Sequence, residues 1–391
     1  MQHSLKQMII GKCHKNVVQQ KELAKIAGYN PLGGGFSKWL NEPDRDITDF
    51  NGLIGVVKKL FPYTESELLT DYAKSLDENR KTARYMLEYA SVNNLKDLAS
   101  HMREKLNDSR NSISKAWAEI YTIDHKAFTN QITLHESISL AAEYIHHEHP
   151  EVRAYSRLIQ IYGYHDMKIN TAVDELMKLA EKDIDEIKDT FIRDSYAARL
   201  AVIAGHDYLH SGDVKNARLQ GKKILLSSSC PNFKTLANLS IGNSYLFESF
   251  DNAKKYLKKA LELCYMQNDT YYAKQVRSSL NFLHNYWSKS VPYQMDDNSI
   301  STSHDKAFQL IKQGNKEEAL LLLNSINLDD CTECEKGFNY FYRGLISNSK
   351  DDYYTSIMYF KNISEKFYRN AALIELKKIG ENEVLLRTLS A

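Results

Sequence analysis

Two short stretches carry the residue types of metal chemistry: His146, His147 and His149 fall within four positions, and Cys331 and Cys334 are two residues apart. A tetrahedral site needs a second pair of ligands, which neither stretch has, so both are read as chance composition and no metal site is expected. The sequence has no glycine-rich phosphate loop and no nucleophile constellation, so neither enzymatic chemistry nor a cofactor is expected. Five cysteines, odd in number and scattered, argue against a disulfide framework. What remains is recognition chemistry by lysines, amides and imidazoles.

The lysines gather at one end. Residues 1–41 hold Lys6, Lys12, Lys15, Lys21, Lys25 and Lys38 against Glu22 alone, a local excess of +5 in a chain whose net charge is +1. Such an excess suits a polyanion such as DNA. Around it the sequence predicts a helix from Gln20 to Ala27, stopped by Gly28, then a turn through Tyr29, Asn30 and Pro31. A second helix follows with Phe36, Trp39 and Leu40 inward and Ser37, Lys38 and Asn41 outward. In a helix-turn-helix the second helix reads base edges while neighbouring cations hold phosphates. Asn30, Ser37, Lys38 and Asn41 are the candidates for the first role, and Lys12, Lys15, Lys21 and Lys25 for the second. Gly33, Gly34 and Gly35 stand where the reading helix should begin, and each costs roughly 1 kcal/mol against alanine if helical. Ile47 to Phe61 supplies a closing helix with Phe50, Leu53, Ile54, Val57 and Leu60 inward.

The stretch from Leu239 to Leu263 reads as two antiparallel helices about the turn ESFDN, with Gly242 and Tyr245 on the first helix and Ala253 and Ala260 on the second. This is the pattern of a tetratricopeptide-type hairpin, in which small residues permit close approach. One hairpin cannot bury its own apolar face, so neighbours must stack on it. Gly205, Tyr208, Gly212 and Ala217 mark a unit before it, Ala307, Gly314 and Ala319 one after it, Gly344 to Phe360 a fourth, and Tyr155 to Leu179 a weaker, earlier one. The expected fold is all-α: an N-terminal helix-turn-helix domain (1–62), a degenerate helical linker (63–150), a TPR-like α-solenoid (151–380) and a C-terminal helix (381–391).

In such an array the first helix of each pair lines the concave side. Spacing places Arg199, Val202, His206 and His210 inward in one unit, Leu239, Asn243 and Leu246 in the next, and His304 and Phe308 in a third. That mixture of apolar and hydrogen-bonding groups suits an extended peptide. Near the end, Val384, Leu385, Leu386 and Leu389 form an apolar stripe that needs cover, from a second copy or from the last repeat.

The helix-turn-helix segment, through Gln20, Glu22, Leu23, Ala24, Ala27, Gly28, Ser37, Trp39, Leu40 and Asn41, resembles that of phage-repressor-type regulators. Joined to a repeat array, it resembles the peptide-sensing regulators of Gram-positive bacteria and their phages, and within them the arbitrium receptors of temperate phages. The likeness is carried by Phe191-Ile192-Arg193, the run from Ser240 to Phe247, Asn281-Phe282-Leu283-x-Asn285-x-Trp287, Tyr359-Phe360-Lys361, Glu365-Lys366-Phe367 and the stretch from Leu373 to Asn382. It implies a homodimer that binds operator DNA, loses that activity when a short secreted peptide fills the groove, and so controls the choice between lysis and lysogeny. It also implies peptide contacts by Asn243, Leu246, Phe282, Asn285 and Glu365, the last an acid where the family pairs a carboxylate with an arginine of the signal, and dimerisation through the C-terminal helix. His206 and His210 stand where family members have asparagines, Asn232 where they have an arginine and His304 where they have a glutamine, so a different peptide or different bonds are expected. A protonated His206 or His210 gripping the peptide carboxylate would give tighter binding at low pH.

A host-type peptide-sensing regulator has the same parts, and a repeat scaffold that binds only protein lacks operator affinity; these are the rival readings. No apolar run approaches the ~20 residues of a membrane span, and the first residues lack a signal-peptide core, so a cytoplasmic protein is expected.

Overall fold

The computed structural model describes residues 4–13, 17–42, 45–62, 64–167, 169–228, 230–293, 297 and 299–390. Among them there is no strand, and the chain divides into two compact units, 1–200 and 201–391.

The first unit opens with α1 (Leu5–Cys13), α2 (Val17–Ile26), α3 (Gly35–Asn41) and α4 (Phe50–Leu60). Leu23, Ala24 and Ala27 of the α2 segment, Phe36, Trp39 and Leu40 of α3 and Phe50, Leu53, Ile54 and Val57 of α4 are buried, as the spacing predicts, whereas Leu60, expected inward with them, is only half-buried. Gly28 ends α2 at φ +74°. Its N–H donates to the Lys25 carbonyl and that of Tyr29 to the Ala24 carbonyl, the paired bonds of a left-handed helix stop. The glycine run has a steric reason at one end: a Cβ on Gly35 would lie 2.8 Å from the Tyr29 ring. Gly33 and Gly34 stay in the turn, so α3 is only 7 residues long. The head is braced by Phe50, whose ring lies 6.0 Å from Tyr85 and 4.6 Å from Phe191, and by Thr82 donating to Asp46 at 2.7 Å.

The linker and first repeats follow as α5 (Glu65–Lys74), α6 (Lys81–Val92), α7 (Lys96–Asn107), α8 (Ser112–Phe128), α9 (Leu134–Ala142), α10 (Pro150–Asp166), α11 (Asn170–Asp185) and α12 (Thr190–His210). From α6 to α11 consecutive helices pair, and a stack of Trp117, Tyr121, Tyr155 and Tyr196 fills the space between α8, α10 and α12.

The second unit continues from the end of α12 into α13 (Val214–Ser227), α14 (Pro231–Ser244), α15 (Phe250–Met266), α16 (Thr270–Tyr286), α17 (Ile300–Gln313), α18 (Lys316–Ser325), α19 (Glu333–Ser347), α20 (Lys350–Asn362), α21 (Lys366–Lys378) and α22 (Glu383–Ser390). The α14–α15 and α19–α20 pairs are the hairpins that the small residues announce. A Cβ on Gly242 would sit 2.7 Å from Leu257, and one on Gly344 would sit 2.6 Å from Tyr353. The aromatic of the preceding hairpin behaves differently from expectation, since Tyr208 is exposed and fills no groove. Tyr245 is held between Tyr256, stacked at 6.3 Å, and the Arg218 guanidinium at 3.5 Å. Among the described residues no helix is long and apolar enough to cross a membrane.

Candidate functional site

In the second unit the first helices of successive pairs converge through aromatic rings. Phe247, just after α14, lies 6.0 Å from Phe282 of α16 and 5.0 Å from Phe367 of α21, while Phe282 lies 6.0 Å from Phe338 of α19 and 6.2 Å from Tyr368 of α21. These contacts bring the start of α21 against helices more than eighty residues earlier. The Trp287 indole donates to the Leu246 carbonyl at 2.8 Å and ties the ends of α14 and α16. Leu246 and Phe282 are therefore buried in this junction, with Leu239 packed beside it.

Several polar atoms on the same helices have no partner. Among the described residues of this unit they are Ser240 Oγ and Asn243 Oδ1 on α14, Asn285 Nδ2 on α16, Asp305 Oδ2 on α17 and Arg369 Nε on α21. An unsatisfied buried group costs about 1–3 kcal/mol, so five in one unit are an expensive feature that stability does not explain. Asn243 and Asn285 are two of the residues for which the family resemblance implied peptide contact.

His304 and Asp305 lie side by side on α17. Burial pushes the His304 imidazole down to about 4, which leaves it neutral at pH 7, with Asn339 Nδ2 at 3.4 Å from its Nε2. Burial pushes the Asp305 carboxyl up to about 7, with nearby Asp297 adding to the rise and Ser278 and Lys274 opposing it. Asp305 escaped the sequence reading because its only signal is adjacency to an inward histidine.

His210 does not stand free to grip a ligand carboxylate. Its Nδ1 faces Glu365 Oε2, so two residues expected to contact ligand separately contact each other. Glu365 caps α21, its Oε1 accepting from the Tyr368 N–H at 2.9 Å, and it is 1% exposed. His206 is exposed, its ring 3.9 Å from that of His210, and Asn232 is half-buried near the start of α14. Arg199, which spacing placed on the concave lining, instead grips buried Glu88 with both arms, Nε to Oε1 at 3.0 Å and Nη2 to Oε2 at 2.9 Å. Such a bidentate pair satisfies a carboxylate that could not otherwise stay buried.

In the head, Lys12, Lys21, Lys25, Asn30, Ser37, Lys38 and Asn41 are all exposed, and Ser37, Lys38 and Asn41 share the face of α3 opposite Phe36, Trp39 and Leu40. Asn41 Nδ2 donates to the Ser37 carbonyl at 2.8 Å, which sets the amide along that face. Lys15 lies outside the described residues. Lys6 must leave the basic tally, because its ammonium is buried, donates to the Glu42 carbonyl at 2.7 Å and lies over Trp39. At the other end, Leu386 is buried and Leu389 packs on the last repeat, so half of the apolar stripe caps its own chain; Val384 and Leu385 face outward. Arg369 Nη2 donates to the Ser390 carbonyl at 2.6 Å and fastens α22 to α21.

The model of the AimR transcriptional regulator-like family matches residues 65–378. The AimR transcriptional regulator of Bacillus phage phi3T is 33% identical over 388 residues, covering 98% of this chain and 100% of the relative. That of Bacillus phage SPbeta is 29% identical over 371 residues, covering 94% of each. A solved structure described as SeMet-phAimR superposes with a TM-score of 0.85 at 31% identity, covering 99% of this chain and 100% of that one. A second, described as phAimR-Ligand, superposes with a TM-score of 0.73 at 30% identity over 87% of this chain and 100% of that one. With the family model matched over most of its length, this chain belongs to the AimR family of transcriptional regulators.

Proposed function

We propose that the chain is a phage regulator that binds operator DNA as a homodimer through the exposed face of α3 and is switched off by a short peptide held on the inner helices of the second unit, controlling the choice between lysis and lysogeny. The observation that carries the peptide site is the set of orphaned buried atoms, Asn243 Oδ1, Asn285 Nδ2 and Asp305 Oδ2, on α14, α16 and α17. An acceptor, a donor and an acid on nearby helices match what an extended peptide offers: backbone N–H and C=O groups together with a cationic side chain or terminus. A relative solved with a ligand supports the same reading. Lys12, Lys21 and Lys25 serve phosphates, Asn30, Ser37, Lys38 and Asn41 face the groove, and the outward Val384 and Leu385 supply the contact between copies. Peptide binding favours one arrangement of the repeats and thereby lowers operator affinity, which requires different peptide affinities for the two arrangements.

The test is selection of bound duplexes from the surrounding phage genome, with and without short peptides from the same locus. Lys25→Ala should weaken operator binding and flatten its salt dependence by about one ion. Lys6→Met should destabilise the head and leave the salt slope unchanged. Duplex binding indifferent to every peptide supplied would reject the proposal.

A further inference from the structure

We propose that His210 is a built-in competitor for the acid of the ligand site: in the ligand-free chain its imidazole occupies Glu365, and a cationic ligand group reaches that carboxylate only by displacing it. The inference rests on the peptide-binding reading above and specifies how that site is regulated.

Both oxygens of Glu365 are engaged, Oε1 by the Tyr368 N–H at 2.9 Å and Oε2 by His210 Nδ1, and its 1% exposure leaves no edge open to solvent. The two residues are 155 positions apart, so the contact joins the last turn of α12 to the first residue of the α21 cap. The surroundings hold it there. A Cβ on Gly212 would lie 3.7 Å from Lys366, which shows how close the two segments run, and Phe367 and Tyr368 are anchored on Phe247 at 5.0 and 6.5 Å. Family resemblance implies that Glu365 meets an arginine of the signal; in this chain an imidazole of the same unit already faces it.

Titratable groups next to the pair include Lys366, which follows Glu365 and runs close to Gly212, and His206 and Asp207 on α12 itself, with His206 Nδ1 at 3.8 Å from Asp207 Oδ1. An imidazolium binds a carboxylate more strongly than a neutral ring does, and histidine changes charge near neutral pH. Acidification therefore tightens the internal pair and handicaps a cationic ligand. The sign is opposite to that expected if His210 gripped a ligand carboxylate.

The experiment uses the full chain, short-peptide pools in which arginine is fixed at one position at a time, and calorimetry at pH 6 and pH 8. Asp305 titrates in the same range and belongs to the proposed site, so it is kept in both chains and the readout is the difference in pH response between the parent and His210→Gln. On going from pH 8 to pH 6 the best-bound pool should weaken about threefold or more in the parent relative to His210→Gln, and His210→Gln should raise affinity at pH 6 by about threefold to tenfold, the span between charge-assisted and neutral hydrogen bonds. Weaker binding in the His210→Gln variant at both pH values, or the same pH response in both chains, would overturn the competitor. If no pool binds any variant, the peptide reading fails, and the internal pair is judged in the ligand-free chain by hydrogen exchange. There, amides of residues 206–212 and 365–369 should exchange faster in His210→Gln and in Glu365→Gln, with no further gain in the double variant. Exchange unchanged in His210→Gln would remove the latch.

Discussion

Asn285 presents a donor to an interior that offers it no acceptor, and that defect has a measurable sign. Leucine is close in size and carries no polar atom, so Asn285→Leu should raise the midpoint of thermal unfolding, by about 1 kcal/mol in stability, while abolishing the peptide response of operator binding. A residue kept for packing alone would show the reverse. His304 and Asp305 make a second prediction. His304 titrates at about 4 when folded, below its unfolded value, so between pH 4 and 6.5 the unfolded chain holds the extra proton and stability rises with pH. Asp305 titrates at about 7 when folded, above its unfolded value, so over the same window the folded chain holds the extra proton and stability falls with pH. The two contributions oppose. Relative to the parent, Asp305→Asn should therefore gain stability with rising pH, at roughly 1 kcal/mol per unit between pH 4.5 and 6, and His304→Gln should lose it; urea midpoints across that window decide.

Helices in the head are set by close approach as much as by apolar pattern. A Cβ on Gly52 of α4 would lie 2.6 Å from the Ile26 carbonyl oxygen and 2.7 Å from Ala27 Cα. These are backbone atoms at the end of α2, with no flexible side chain to give way. Gly52→Ala should thus push α4 off α2, destabilise the head by about 1–3 kcal/mol and reduce operator affinity without altering peptide binding to the second unit. Thermal unfolding followed at Trp39 and titration of the operator would read both effects. In α21, the carboxylate cap, the aromatic pair Phe367 and Tyr368 and the Arg369 anchor to α22 lie within five residues, so one short helix carries both the contact to His210 and the fastening of the C-terminal helix.

Across the whole molecule, the C-terminal stripe has one part that caps its own chain and one part left exposed, which the proposed dimer would cover. Leu386 is buried on its own chain, whereas Val384 is 72% exposed. Val384→Asp should lower the dimer fraction in light scattering with little change in the unfolding midpoint, and Leu386→Asp should lower the midpoint itself by the cost of burying an unpaired charge. A dimer untouched by Val384→Asp would place the interface elsewhere.

Local information was legible in the sequence because local physics wrote it. The period of apolar residues marked the helices, Gly28 marked the stop of α2, and Gly242 marked the hairpin whose partner comes within contact distance. Spacing reports which side of a helix faces inward, and it says nothing of what stands opposite. That Arg199 meets Glu88 from 111 positions away, that Lys6 is taken up by the Glu42 carbonyl, and that His210 faces Glu365 were decided only when distant helices packed together. Burial then turned ordinary polar side chains into partners of one another or into unsatisfied atoms, because the cost of leaving water depends on the tertiary neighbour and not on the residue.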